Sequence, residues 1–111
     1  MAIRLSTNLR NRMLDGWSNS ASAYGFFDSA IFEIRSGTIP TDADTLPTGT
    51  VLASITLPAD AVSAAAAGAI PKLGTWQDTS ADATGTASWF RIKKAGDLGT
   101  TNTTDPRMDG T

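Results

Sequence analysis

The chain of 111 residues contains no histidine and no cysteine. Disulfide stapling, zinc fingers, thiolate nucleophiles and every Ser-His or Cys-His mechanism are therefore excluded. A cysteine-free chain also suits a reducing compartment. Glutamate is nearly missing: of the 11 acids, Glu33 is the only one that is not aspartate. Aspartate belongs to turns and caps, whereas surface helices favour glutamate, so the balance points away from a helical protein. No apolar stretch approaches the ~20 residues of a membrane span. Met1 to Leu14 carries Arg4, Arg10 and Arg12 and no acid, but lacks the apolar segment of a secretory signal. It reads as a short basic helix or arm. The net charge of −2 is not the basic excess of a general nucleic-acid binder.

Large apolar side chains are also in short supply. There are 17 alanines against 28 larger apolar residues. Alanine removes little area from water, so the core is expected to be thin. A thin core leaves a marginal monomer or is completed by a neighbour, which favours a module that lives in an assembly. The length corresponds to one domain.

What the sequence has in abundance is turn punctuation. Gly-Thr occurs at 37–38, 49–50, 74–75, 85–86, 99–100 and 110–111, taking up six of the ten glycines. Glycine supplies the positive φ of a tight turn and threonine suits the opening of a strand. Turn signals at this spacing mark a small all-β domain. Between them the alternation is that of half-buried strands with one wet face. In 30–35, Ala30, Phe32 and Ile34 share one side, with Glu33 and Arg35 opposite. In 50–57 the apolar side is Val51, Ala53, Ile55 and Leu57. In 86–93, Phe90 and Ile92 face inward, with Arg91 and Lys93 outward. The expected fold is mostly β, a small antiparallel β-sandwich or barrel-like domain with a short N-terminal helix.

The helix is expected over Thr7 to Asp15: Thr7 can cap it, Leu9 and Met13 lie on one side, and Gly16 sits where a terminating glycine belongs. The resulting organisation is an N-terminal arm and helix over 1–16 and a β-rich domain over 17–111. Residues 59–67, rich in alanine, suggest two further helical turns, with a strand as the alternative. The 36–49 segment is a long polar loop with two prolines, a type of loop that usually makes contacts. Residues 107–111 read as a final strand with no following element to pair it. Such an edge needs a covering neighbour or a continuation of the chain.

Few groups recommend themselves for chemistry. Asp42 and Asp44, and Asp78 and Asp82, could bind a cation or do acid-base work. Their Thr-, Ser- and Ala-rich surroundings instead make them turn-capping residues. Lys93-Lys94 is a solvated strand exit. Phosphate-binding glycine motifs are missing, and Asn102-Thr103-Thr104 is a sequon without a secretory signal. Among the aromatics Trp17, Tyr24, Phe26, Phe27, Trp76 and Trp89, most must serve the core. Trp89 alternates with Phe90 and so faces away from it, as a candidate intermolecular contact. No catalytic residue, cofactor site or metal site is expected.

Three stretches taken in order resemble a family of small tailed-bacteriophage virion structural proteins. They are Arg4-Leu-Ser-Thr-Asn-Leu-Arg-Asn-Arg-Met-Leu-Asp15, the run from Phe32 to Leu57 through Ile39-Pro40-Thr41-Asp42, and Gly74-Thr-Trp-Gln-Asp78 with Ala83 to Ile92. The resemblance spans nearly the whole chain. It implies a non-enzymatic particle component, such as a capsid decoration (cement) protein or a neck or tail accessory part, assembled in the host cytoplasm. The expected partners are other virion proteins and copies of itself in a homo-oligomer, not nucleic acid or a membrane. Members commonly continue past an Asp-Gly-Thr like Asp109-Gly110-Thr111 with a further β region, which implies that this chain too is C-terminally incomplete. The interface candidates are Arg4, Arg10, Arg12, Ile39, Leu46, Trp89 and Met108. The alternative reading is a host-receptor or carbohydrate-binding β module that uses Trp89 and loop residues.

Overall fold

The computed structural model describes residues 2–15, 23–63 and 67–111. Their strands form one five-stranded sheet, β1 (Ile3–Leu5), β2 (Ile31–Arg35), β3 (Val51–Thr56), β4 (Trp89–Lys93) and β5 (Arg107–Gly110). The order is β1-β5-β4-β2-β3, and every neighbouring pair is antiparallel. The mostly β expectation holds. The sheet is open, with β1 and β3 at its edges, and is not closed into a barrel.

Alternation places most of the apolar strand residues on one face. Leu5, Met108, Ile92, Phe32 and Ile55 lie in register across the five strands. Against this row pack Leu9, Phe26, Ala30, Leu57 and Ala61, which are buried. The faces read from β2 and β4 are therefore right. β3 departs from its expected pattern because Val51 and Leu52 together oppose Arg35 across a bulge. The extra residue reverses the alternation there, so Val51 leaves the face shared by Ala53, Ile55 and Leu57.

The single α-helix among the described residues, α1 (Thr7–Asp15), follows β1 directly. Its cap is Ser6 rather than Thr7: the Ser6 hydroxyl accepts from the Leu9 amide at 3.2 Å and from the Arg107 amide at 2.8 Å. Asp44 supplies the second capping group, its carboxylate accepting from the Thr7 amide at 3.0 Å and from the Thr7 hydroxyl at 2.5 Å. A carboxylate there also answers the helix dipole. Leu9 is in the core, but Met13 is 53% exposed, so only the first turn of the expected apolar side is buried. Gly16 and Trp17 lie outside the described residues.

Three other expectations change. The 1–16 segment is not an arm beside the domain, because β1 pairs with β5 along Ile3, Arg4 and Leu5. The final strand is not an uncovered edge: β5 lies between β1 and β4. The described part of 59–67 is not helical; Val62 makes an isolated antiparallel bridge with Lys72, nearer the strand alternative. Of the Gly-Thr pairs, Gly37, Gly49, Gly74 and Gly99 do adopt positive φ. Only Thr50 leads straight into a strand, and Gly110 sits inside one.

Gly110 is required there by space, not by φ. A Cβ at this position would stand 2.5 Å from Phe90 Cζ and 2.8 Å from Ile3 Cδ1. The Phe90 ring is held in a stack on Phe32, with centroids 5.1 Å apart. Gly110→Ala is therefore expected to cost about 1–3 kcal/mol by overpacking, read as a lower urea midpoint with an unchanged slope.

Candidate functional site

The second face of the sheet carries the charges. Arg4, Asp109, Arg91, Glu33 and Ser54 stand in register from β1 to β3, so sign alternates across the first four strands. Directly opposed unlike charges stabilise a sheet face. This face was expected to be wet. Its centre is dry instead: Arg91, Arg107 and Asp109 are fully buried, and Glu33, Arg35 and Asp97 nearly so.

The charges are matched in close pairs. Arg91 holds Asp109 through Nε and Nη2, each at 2.7 Å. Arg107 holds Asp97 in the same two-pronged way at 2.6 and 2.7 Å. Glu33 receives Arg35 Nε at 2.9 Å and Lys93 Nζ at 2.7 Å, so Lys93 is not the freely solvated exit expected of it. Trp89 lies between two of these cations, 5.7 Å from the Arg35 guanidinium and 5.6 Å from that of Arg91. Its indole N–H donates to the Ser36 carbonyl at 3.1 Å.

A guanidinium has five donors and a carboxylate occupies only two, so the remaining N–H groups need acceptors in a dry layer. The 36–49 loop provides them. Thr45 carbonyl accepts from Arg91 at 2.9 Å, and Thr48 carbonyl from Arg35 at 3.2 Å. Ala43 and Asp44 carbonyls accept from Arg107 at 3.4 and 3.3 Å, and the Pro40 carbonyl accepts from Arg4. Thr100 carbonyl completes Arg107 at 2.8 Å. Among the described residues no buried side-chain nitrogen or oxygen lacks a partner.

Ionisation follows from this geometry. Burial by itself would raise the Glu33 carboxyl, but the hydrogen bonds from Lys93 and Arg35 outweigh it and hold the group below its ordinary value. Asp97 is likewise raised by burial and lowered further than that by Arg107 and the Gly99 amide. The Asp97 hydrogen bond raises Arg107 in return, against its own desolvation.

The expected site residues are dispersed. Arg4 is half-buried, and Arg10 is exposed and donates to Thr7 Oγ1 at 3.1 Å. The Arg12 side chain lies outside the described residues. Ile39 is half-buried, while Leu46 is 55% exposed. Met108 packs against the core. Trp89 does face away from the apolar cluster but is only 3% exposed, because the charged layer is itself covered. Asp42 and Asp78 serve turns as expected, accepting from the Asp44 amide at 3.1 Å and the Ser80 amide at 2.9 Å.

The sequence reading overlooked the charged layer as a unit. One signal for it was present: Asp109 and three arginines, at 35, 91 and 107, lie within strand-like segments, where aspartate is disfavoured unless something in the sheet receives it.

No cluster of metal-ligating side chains exists among the described residues. An open notch of about 230 Å³ at the end of the sheet is lined by Ile34, Ala87, Ser88, Trp89, Phe90 and Thr111, none with a titratable side chain. The arrangement holds loops onto a sheet through paired charges. Fold and site thus define a mostly β domain with an apolar layer on one side and an ion-paired layer on the other. The chain matches no family model, no curated protein and no solved structure.

Asp109→Ala leaves Arg91 charged and unpaired in a dry layer, which is expected to cost about 3–5 kcal/mol. Replacing both members by apolar residues of similar size should recover most of that loss, measured by urea unfolding of the single and double variants. Glu33 and Asp97 have lowered folded values, so their contribution is fully present above the unfolded values near pH 4–5. It is lost as pH falls through the folded ones. The unfolding midpoint should be flat from about pH 5 to 8 and fall below about pH 4; a midpoint that rises on acidification contradicts this.

Proposed function

We propose that this protein is a non-catalytic structural subunit of a tailed-phage particle, a capsid-decoration or neck or tail component. It acts by packing against copies of itself and against other virion proteins. The resemblance of 4–15, 32–57 and 74–92 to virion structural proteins supplies the particle. The observation that carries the packing role is the direction in which the chemistry points: charged groups of the sheet are consumed internally, while large apolar side chains are turned out.

Leu98 is 88% exposed and Leu46 is 55% exposed. The loops that bear them are tied together, Leu46 N–H donating to Thr101 Oγ1 at 3.0 Å and Asn102 N–H to the Asp44 carbonyl at 2.9 Å. Exposed leucines on joined loops are the kind of surface that a neighbour covers. The carbohydrate-binding alternative uses Trp89 and loop residues, and the burial of Trp89 favours packing over stacking of that ring on a sugar.

Counting copies per purified particle by quantitative mass spectrometry tests the assignment: a fixed stoichiometric number is expected, and absence from particles overturns it. The variant Leu46→Asp/Leu98→Asp should lower incorporation about tenfold or more. Its unfolding free energy should change by no more than about 0.5 kcal/mol per site, since both positions are on the surface. Normal incorporation of a folded double variant would remove these leucines from the contact.

A further inference from the structure

We infer that residues 37–49 form a self-contained lid over the charged face of the sheet, which opens as a unit while the five strands stay paired. Its ends meet. Ser36 N–H donates to the Thr50 carbonyl at 3.0 Å, and Thr50 N–H donates to Ser36 Oγ at 3.1 Å. The Thr48 hydroxyl donates to the Thr38 carbonyl. Gly37 and Gly49 stand at this neck with φ of +85° and +71°. A Cβ on Gly49 would come within 1.8 Å of the Ser36 carbonyl oxygen, so the neck closes only around glycine. A compact surface loop with joined ends is an Ω-loop, a structure able to move as one body.

The lid also has an internal frame. Asp42 accepts from the Asp44 amide at 3.1 Å and from the Thr45 hydroxyl at 2.8 Å. Its attachment to the rest is chiefly polar: the arginine bonds to its carbonyls, the Ser88 hydroxyl on the Gly37 carbonyl, the Asp44 carboxylate on Thr7, and the two bonds to the 101–102 strip. Its apolar anchorage is small, with only Pro40 and Ala43 buried. The core cluster of Leu9, Phe26, Ala30, Leu57, Ala61 and Ile92 contains no residue of the lid, and β2 pairs with β3 and β4 without it. Segments with few buried apolar contacts open below the free energy of global unfolding. Lifting the lid takes carbonyl acceptors away from Arg4, Arg35, Arg91 and Arg107, yet leaves the carboxylates of Glu33, Asp97 and Asp109 in place on the sheet side.

Native-state hydrogen exchange in sub-denaturing urea tests this on the full chain. The Thr7, Leu46 and Asn102 amides, whose bonds cross between the lid and the rest of the chain, should exchange at least about tenfold faster than amides within β2, β4 and β5, with a smaller dependence on urea. Arg4→Met removes the charge-assisted bond to the Pro40 carbonyl at the sheet edge. It should speed lid exchange by about tenfold without altering the β2–β3 amides. A single common opening for lid and strands, with the same urea dependence, overturns the inference in the wild-type chain alone. Equal acceleration of lid and strand amides by Arg4→Met overturns it as well.

Discussion

The desolvation of Arg91 and Asp109 is the constraint around which the rest of the domain is arranged. Two opposite charges with no exposure are tolerable only when every remaining donor and acceptor is met, since their mutual attraction barely offsets the loss of water. The carboxylate is filled by the two prongs of the guanidinium. Three N–H groups of Arg91 remain, and one of them donates to the Thr45 carbonyl of the 36–49 loop. Arg107 repeats the arrangement with Asp97, and Arg35 does so in part with Glu33. One face of the sheet can therefore be dry only if a long polar loop lies across it.

This explains how a chain so poor in large apolar residues makes an ordered domain. One face is sealed conventionally by Leu9, Phe26, Leu57 and their neighbours. The other is filled by arginine and lysine stems, whose methylenes occupy space as apolar residues would while their heads are paired. Trp89 belongs to this second layer, held between the guanidinium groups of Arg35 and Arg91. Ion pairs of this kind add little net stability compared with apolar packing but penalise misplacement heavily. They favour one arrangement of the loops over others.

The same economy bears on function. Ser6 serves the start of α1 and the start of β5 at once. Asp44 caps the helix with its side chain and accepts from Asn102 with its carbonyl. With such groups committed internally, the exposed leucines Leu46 and Leu98 are what support the packing role proposed for the domain. The 37–49 loop contributes no residue to the apolar core cluster.

Local sequence determined much of this. The alternation of β2 and β4, the faces of Phe32, Ile34, Phe90 and Ile92, the helix over 7–15 and the turn aspartates were all legible, because each depends on neighbours within a few residues. The bulge at Val51 and Leu52 and the preference for Ser6 over Thr7 as cap depend on partners across the sheet and were not. A period of two tells which side chains share a face, but not what lies over that face, so Glu33, Arg35, Arg91 and Trp89 read as solvent-facing. Only the tertiary structure placed Asp109 beside Arg91, Arg107 beside Asp97, and the last strand between the first and the fourth. Residues 3 and 110 are opposite one another, and no pattern within either segment encodes a partner more than a hundred residues away.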